Sequence, residues 1–185
     1  MQKVIAIDGP SASGKGTIAA RVAAALGWAY LDSGALYRLT ALHAQNQHAD
    51  WADEATVAAL AAQLPAVRAA LLQRQRSFLT AQGLVADGRD MGSTVFPEAA
   101  LKIFLTASAQ IRAERRAKQI GVAVNSPAFA QILADIEARD EADRNRAAAP
   151  LHQLPDAKLL DTSHRSIEDT VQQVLDWYHA SQKAA

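Results

Sequence analysis

The sequence predicts an α/β protein: a parallel sheet covered by helices on both faces. Short, almost wholly apolar runs recur along the chain, as strands buried on both faces require, and segments of helical spacing separate them. A glycine-rich stretch, Gly9 to Thr17, falls between the first such run and the first helical segment, the place where sheets of this kind put a ligand-binding turn.

Residues 3–8, KVIAID, read as the first strand, and the Ala-rich segment 15–26 as the helix that follows. WAYLD at 28–32 reads as a second strand, after which Asp32 or Ser33 can cap a helix through ALYRLTALHA. From Asp50 to Leu79 the spacing is helical. Pro65, with no amide to donate, divides it into DEATVAALAAQ and AVRAALLQRQRSFL. LVADG at 84–88 and LKIFLTA at 101–107 read as buried strands, separated by the breaker-rich RDMGSTVFPEA. IRAERRAKQI is helical up to Gly121, a further helix spans 128–144, and NRAAAPLHQLP forms a loop before the strand KLLDT at 158–162. The last helix starts near Ser166. There is no internal repeat, and residues 1–185 are read as one domain.

Charge and composition narrow the function. The 19 basic and 19 acidic side chains cancel, so no overall basic field exists for a stable nucleic-acid partner. The absence of Cys excludes disulfide scaffolds, thiol catalysis and Cys-containing zinc sites. His43, His48, His152, His164 and His179 show no zinc-ligand spacing. No apolar run reaches 18 residues, and the N-terminal segment turns glycine-rich after a short strand, where a leader would carry a cleavable apolar segment. The expectation is a cytoplasmic monomer with no membrane partner.

Gly9-Pro10-Ser11-Ala12-Ser13-Gly14-Lys15-Gly16-Thr17 has the G-x-x-x-x-G-K spacing of a phosphate cradle. Glycines let the backbone turn tightly, successive amides point into the loop, and the helix N-terminus favours anionic oxygens. Lys15 is placed to bridge β- and γ-phosphates. Gly16 stands where the strict motif carries a hydroxyl, so a magnesium ligand from this loop would be Thr17, one residue later. Asp87, at the end of LVADG, is the candidate carboxylate for magnesium. Asp8 fits two roles equally, reaching the reaction centre or accepting hydrogen bonds from loop amides.

Arg38, about one turn into the second helix, and Arg89, beyond another strand end, suggest a two-sided clamp for a second phosphate. In RDEADRNR, Arg139 and Asp143 lie four residues apart on one helical face, with Arg146 continuing nearby. Together with Arg112, Arg115, Arg116 and Arg144, these cations suggest an arginine-rich lid over 112–146 that closes on a triphosphate and excludes water. The competing reading of each cluster is a solvated, ion-paired helix surface. The chemistry these groups support is in-line transfer of a phosphoryl group from a nucleoside triphosphate to an acceptor that is itself a phosphate.

The segments IDGPSASGKGT, LDSGALYR, LPAVRAALLQRQRSF, LVADGRDMGSTVFPEAALKIFLTAS, IEARDEADRNRAAAPL and LLDTS together resemble the bacterial cytidylate kinases, a family of P-loop nucleoside monophosphate kinases, over nearly the whole chain. The resemblance implies a P-loop kinase fold, three-layer α/β/α with five parallel strands in the order 2-3-1-4-5, and transfer of the ATP γ-phosphate to CMP or dCMP with magnesium. It implies that Ser33, Arg38, Arg89 and Arg146 face the acceptor phosphate, Arg139 and Asp143 its sugar, and Arg68 and Asp90 the base. A carboxylate at Asp90 can accept from the cytosine N4 amino group, which uracil lacks, while Arg68 donates toward the carbonyl and ring acceptor. Lys15, Arg89, Arg139, Arg144 and Arg146 are then the candidate catalytic cations.

The chain departs from that pattern between Ala61 and Leu64, where the family carries a small strand-rich insertion with a serine for cytosine. A reduced acceptor-binding segment over 46–68 is expected to weaken acceptor affinity, base discrimination or water exclusion. Two alternatives stay open: another small P-loop kinase with an altered acceptor, or a nucleotide-binding module with impaired catalysis.

Overall fold

The computed structural model describes residues 2–46 and 64–183. The expected DEATVAALAAQ helix, and most of the segment 46–68, lie outside the described residues. The elements are β1 Gln2–Asp8, α1 Lys15–Leu26, β2 Ala29–Asp32, α2 Ser33–Asn46, α3 Pro65–Arg76, β3 Leu84–Gly88, a π-helical turn Met91–Val95, β4 Ala99–Thr106, α4 Ala109–Ile120, α5 Pro127–Asn145, β5 Lys158–Asp161 and α6 Ile167–Lys183. The five strands form one parallel sheet in the order β2-β3-β1-β4-β5, as the resemblance implied.

β1 sits in the middle, and its side chains divide by parity. On one face Ile5 and Ile7 join Ile18 and Val22 of α1, Leu101, Ile103 and Leu105 of β4, and Val174 of α6. On the other, Val4 and Ala6 join Leu31, Leu84, Met91 and Phe96, with Leu36 of α2 and Leu72 of α3 packed against them. A strand covered on both sides needs apolar residues at every position, which is why β1 and β3 read as continuous apolar runs. The end of α1 and α6 are further joined by the edge-on contact of Trp28 with Tyr178, their ring centroids 5.0 Å apart.

The helix ends follow local chemistry. Pro65 stands at the start of α3, where its missing amide costs nothing. Ser108 and Ser126 cap α4 and α5 by accepting from Ile111 N and Phe129 N. Gly121, where the helical spacing ends, closes α4 in the left-handed conformation at φ 73°. α4 and α5 form a hairpin with its own small core of Ala113, Ala117, Phe129 and Ile136, against which Ala12 of the glycine-rich loop also packs.

The parallel register brings the C-terminal ends of β1, β2 and β3 to one edge: Asp8 lies beside Gly88, and Asp32 beside Asp87. The glycine-rich loop leaves β1 at this edge through a gap with no room for a side chain. A Cβ on Gly9 would lie 2.0 Å from the Leu105 carbonyl oxygen. Gly9→Ala is therefore expected to cost about 3 kcal/mol or more of folding stability, because backbone has to move. Urea denaturation with an unchanged midpoint would show that the loop relaxes without cost.

Candidate functional site

The loop from Gly9 to Gly14 joins β1 to α1 and is held open from outside by the α4–α5 hairpin. Gly14 takes φ 91° immediately before α1, and Ala12 takes φ 57°. Arg112, only 3% exposed, donates from Nη1 to the Ser11 carbonyl at 3.1 Å and from Nε to the Ala107 carbonyl at 2.9 Å, and forms a two-pronged pair with Asp140. Arg115 donates to the Ser13 carbonyl at 3.1 Å and to the Thr162 carbonyl at 2.6 Å. These two cations grip the loop's main chain by its carbonyls. Arg116 lies on the exposed face of α4. The Ser13 hydroxyl is buried with no hydrogen-bond partner among the described residues.

Lys15 reaches back to the Pro10 carbonyl at 3.4 Å, a long contact that leaves most of its donor capacity unused. Burial, followed by the like charge of Arg89, pulls the pKa of its ammonium down to about 7, against the opposing charges of Asp87, Asp143 and Asp32. Asp87 accepts from the Tyr30 hydroxyl at 2.8 Å, and burial holds its carboxyl above the ordinary range despite Lys15 and Tyr30. Thr17 is exposed in the first turn of α1, and the Cβ position of Gly16, beside it in sequence, is 4.0 Å from Asp87 Oδ2.

Asp8, with two readings open from sequence, has a structural task. Its two carboxylate oxygens accept from the amides of Met91 and Gly92, both at 2.8 Å, so it clamps the first turn of the π-helical segment that follows Asp90. Burial pushes the pKa of this carboxyl up to about 6, with the two amide bonds pulling the other way. The far end of the same segment is held by Arg76 of α3, donating to the carbonyls of Val95 at 2.9 Å and Thr94 at 3.1 Å.

Beyond the end of β3, Arg89 donates from Nη2 to the Ser11 hydroxyl at 2.7 Å and from Nε to Asp143 at 2.6 Å. Arg139 lies close enough to Arg89 for their like charges to interact; partial burial and that charge lower its pKa. Arg146 Nη2 is a buried donor without a partner among the described residues, and its guanidinium lies within the fields of Asp90, Asp143, Arg68 and Arg89. Ser33 is buried at the start of α2, packed over Gly88, where an added Cβ would lie 2.5 Å from its hydroxyl. Arg38 pairs with Asp32 at 2.9 Å in a half-exposed bridge, and Asp32 also accepts from Ala35 N at 3.0 Å, acting as the cap of α2. Arg144 pairs with Glu141 on the exposed surface of α5, apart from this group.

Arg68 and Asp90 meet as an ion pair, and Arg68 also approaches the Tyr37 hydroxyl. They line a cavity of about 100 Å³ with Tyr37, Leu72, Gln75 and Val95. Of the residues singled out from sequence, Ser11, Lys15, Asp87, Arg89, Arg139, Asp143 and Arg146 are brought together. Tyr30, Asp32 and Gln75 were not expected as site members. Among the described residues no group of three or more His, Asp or Glu side chains forms a metal cluster, and no helix is long and apolar enough to cross a membrane.

The cytidylate kinase family model matches residues 5–65 and 55–180. A cytidylate kinase of Neisseria meningitidis is 62% identical over 212 residues, covering 96% of this chain and 97% of the relative. One of Chromobacterium violaceum is 51% identical over 214 residues, covering 97% and 96%. Both alignments are longer than the 185 residues of this chain, so the relatives carry positions with no counterpart here. A gluconokinase from Sinorhizobium meliloti superposes with a TM-score of 0.59 over 97% of this chain and 94% of its own, at 16% identity, a likeness of fold.

The depressed Lys15 pKa has a consequence for stability. In the unfolded chain Lys15 titrates near its ordinary 10.5, so between about pH 7 and 10.5 the unfolded state holds a proton that the folded state has released. Stability therefore rises with pH through this window. The cost of burying Lys15 vanishes above it and reaches full size as pH falls below about 7. Lys15→Met is expected to unfold at higher urea than the parent at pH 7 without nucleotide, the gap shrinking as pH rises toward 10.5; a Met variant less stable at pH 7 would contradict the buried-charge account.

Proposed function

The chain belongs to the cytidylate kinase family, and on that premise we propose that it transfers the γ-phosphoryl group of ATP to CMP or dCMP, giving ADP and CDP or dCDP. The observation that carries this reading is the bridge of Arg89 between Ser11, in the phosphate-binding loop, and Asp143, beside the cluster of Arg139 and Arg146. It joins two separate anion-binding groups at one sheet edge, as a reaction between two phosphates requires.

In this reading Gly9, Pro10, Ser11, Ala12, Ser13, Gly14, Lys15, Gly16 and Thr17 cradle the ATP phosphates, with Lys15 between the β- and γ-phosphates. Ser33, Arg38, Arg89 and Arg146 bind the acceptor phosphate, Arg139 and Asp143 its sugar, and Arg68 and Asp90 its base. An acceptor phosphate is anionic at neutral pH, so its oxygen attacks without a protein base; orientation and neutralisation supply the rate. Bound phosphate also relieves the crowding of Lys15, Arg89, Arg139 and Arg146, whose like charges repel one another. Arg144, facing solvent, joins only when the 112–146 hairpin closes.

Asp87 and Thr17 offer hard oxygen donors near the start of α1, and the desolvated Asp87 carboxylate, with Asp32 beside it on β2, suits a divalent cation such as Mg²⁺. When bound there, Mg²⁺ would neutralise phosphate charge. On this reading the enzyme works in the cytoplasm, where ATP and CMP are available, as a monomer with no stable nucleic-acid or membrane partner.

The two family matches overlap at residues 55–65, close in sequence to Arg68. A reduced acceptor-binding segment over 46–68 would thin the enclosure of the base, so a raised Michaelis constant for CMP is expected. ADP formation from ATP is expected to depend on CMP, to be much slower with UMP, and to fall at least about 100-fold in Lys15→Ala; Asp90→Ala should narrow the preference for CMP over UMP. ATP turnover that is equal with and without CMP would overturn the kinase reading.

A further inference from the structure

We infer that Gln75 determines specificity in the acceptor site, its amide oxygen accepting the second hydrogen of the cytosine N4 amino group. The inference rests on the reading of the Arg68 and Asp90 cavity as the base site.

Gln75 lies two helical turns beyond Arg68 on α3, on the same face as Arg68 and Leu72. It is the buried residue of that helix, with 2% exposure, and its Oε1 has no hydrogen-bond partner among the described residues. A leucine or methionine would fill the position without an unpaired polar atom, so packing alone does not account for an amide there. Gln75 lines the same cavity of about 100 Å³ as Arg68 and Asp90. That volume is equivalent to roughly three waters, enough for one planar six-membered ring. Tyr37, Leu72 and Val95 give it apolar walls.

The chemistry of the cavity is asymmetric. Arg68 can only donate, and Asp90, once ionised, can only accept. The N4 amino group of cytosine carries two hydrogens. Asp90 takes one, and the other would be buried unpaired unless a second acceptor meets it. Gln75 Oε1 is that acceptor. Uracil presents a carbonyl oxygen at the same position, which with the Gln75 amide oriented as it is here would face two acceptor oxygens and leave them without a hydrogen. A site built to receive hydrogens rejects the analogue that lacks them more strongly than one built on shape.

Three acceptors separate the possibilities: CMP, UMP and N4-methyl-CMP, the last with one amino hydrogen replaced by a methyl group. Their kcat/KM values are compared for the parent enzyme, Gln75→Met, Gln75→Ala and Asp90→Asn at saturating ATP. Gln75→Met keeps the side-chain size and is expected to lower the CMP-to-UMP ratio about tenfold, with the Michaelis constant for ATP unchanged. The parent enzyme is expected to disfavour N4-methyl-CMP, and Gln75→Ala to raise the N4-methyl-CMP-to-CMP ratio about tenfold, since it removes the acceptor and makes room for the methyl group. Each readout is a ratio within one preparation, so an unfolded fraction cancels. Both ratios within twofold of the parent, alongside a shifted CMP-to-UMP ratio in Asp90→Asn, would overturn the role of Gln75 while leaving the base site in place. A CMP-to-UMP ratio unchanged in Asp90→Asn as well would place the base elsewhere and overturn both.

Discussion

The Arg89 guanidinium ties together parts of the chain that lie far apart in sequence. It leaves the end of β3, donates to the hydroxyl of Ser11 in the loop after β1, and pairs with Asp143 on α5. Its side chain is largely shielded from water, so these are charge-assisted bonds in a medium that strengthens them. Arg89 contacts the phosphate loop and the α4–α5 hairpin at once, adding to the bonds that Arg112 and Arg115 make to the loop and Asp8 makes to the segment after Asp90. The sheet makes it possible: parallel register lays the ends of β1 and β3 side by side, so loops from both open on the same edge.

The same edge concentrates charge that the fold does not neutralise well. Lys15 is pulled down by burial and by Arg89; Asp87 and Asp8 are pushed up by burial. Ser13 Oγ and Arg146 Nη2 are buried without partners among the described residues. Of these, the buried cation Lys15 and the unpaired donors lower stability in isolation and would regain it beside an anion, whereas the carboxylates would not. By contrast Arg112 and Arg115 are engaged with carbonyls and Asp140, and they hold the loop's shape. Cations of similar sequence context thus divide into one with an unpaired buried donor, Arg146, and those whose donors are taken up by carbonyls and carboxylates of the fold.

The sheet was legible in the sequence because burial on both faces leaves an apolar run that no other element of that length explains, and the phosphate loop because glycine and lysine must stand at fixed spacing to perform that task. The family resemblance supplied the strand order, which apolar runs alone do not encode. The pairings across the site were less legible. Asp8 finds its partners 83 and 84 residues away, and a carboxylate beside Gly9 looks the same from sequence whether it serves a ligand or two amides. Tyr30 reads as packing in a strand; its hydroxyl meets Asp87 only once β2 and β3 are aligned. The signal for Gln75 was present as a polar residue at helical spacing from Arg68 and Leu72, but on a helix rich in Arg and Gln it had no contrast.

Ala12 is a left-handed residue without being a glycine, and its methyl group rests on the small core between α4 and α5. Arg112 and Arg115 of α4 and the pairs made by Asp140 and Asp143 fasten that hairpin at the same end. Its opposite end, the connection across residues 121–126, has no hydrogen bond or ion pair to the sheet among the described residues. Among the described residues the hairpin is therefore joined to the phosphate loop at its base alone, and the alanine methyl is the apolar part of a joint otherwise made of arginine and carbonyl.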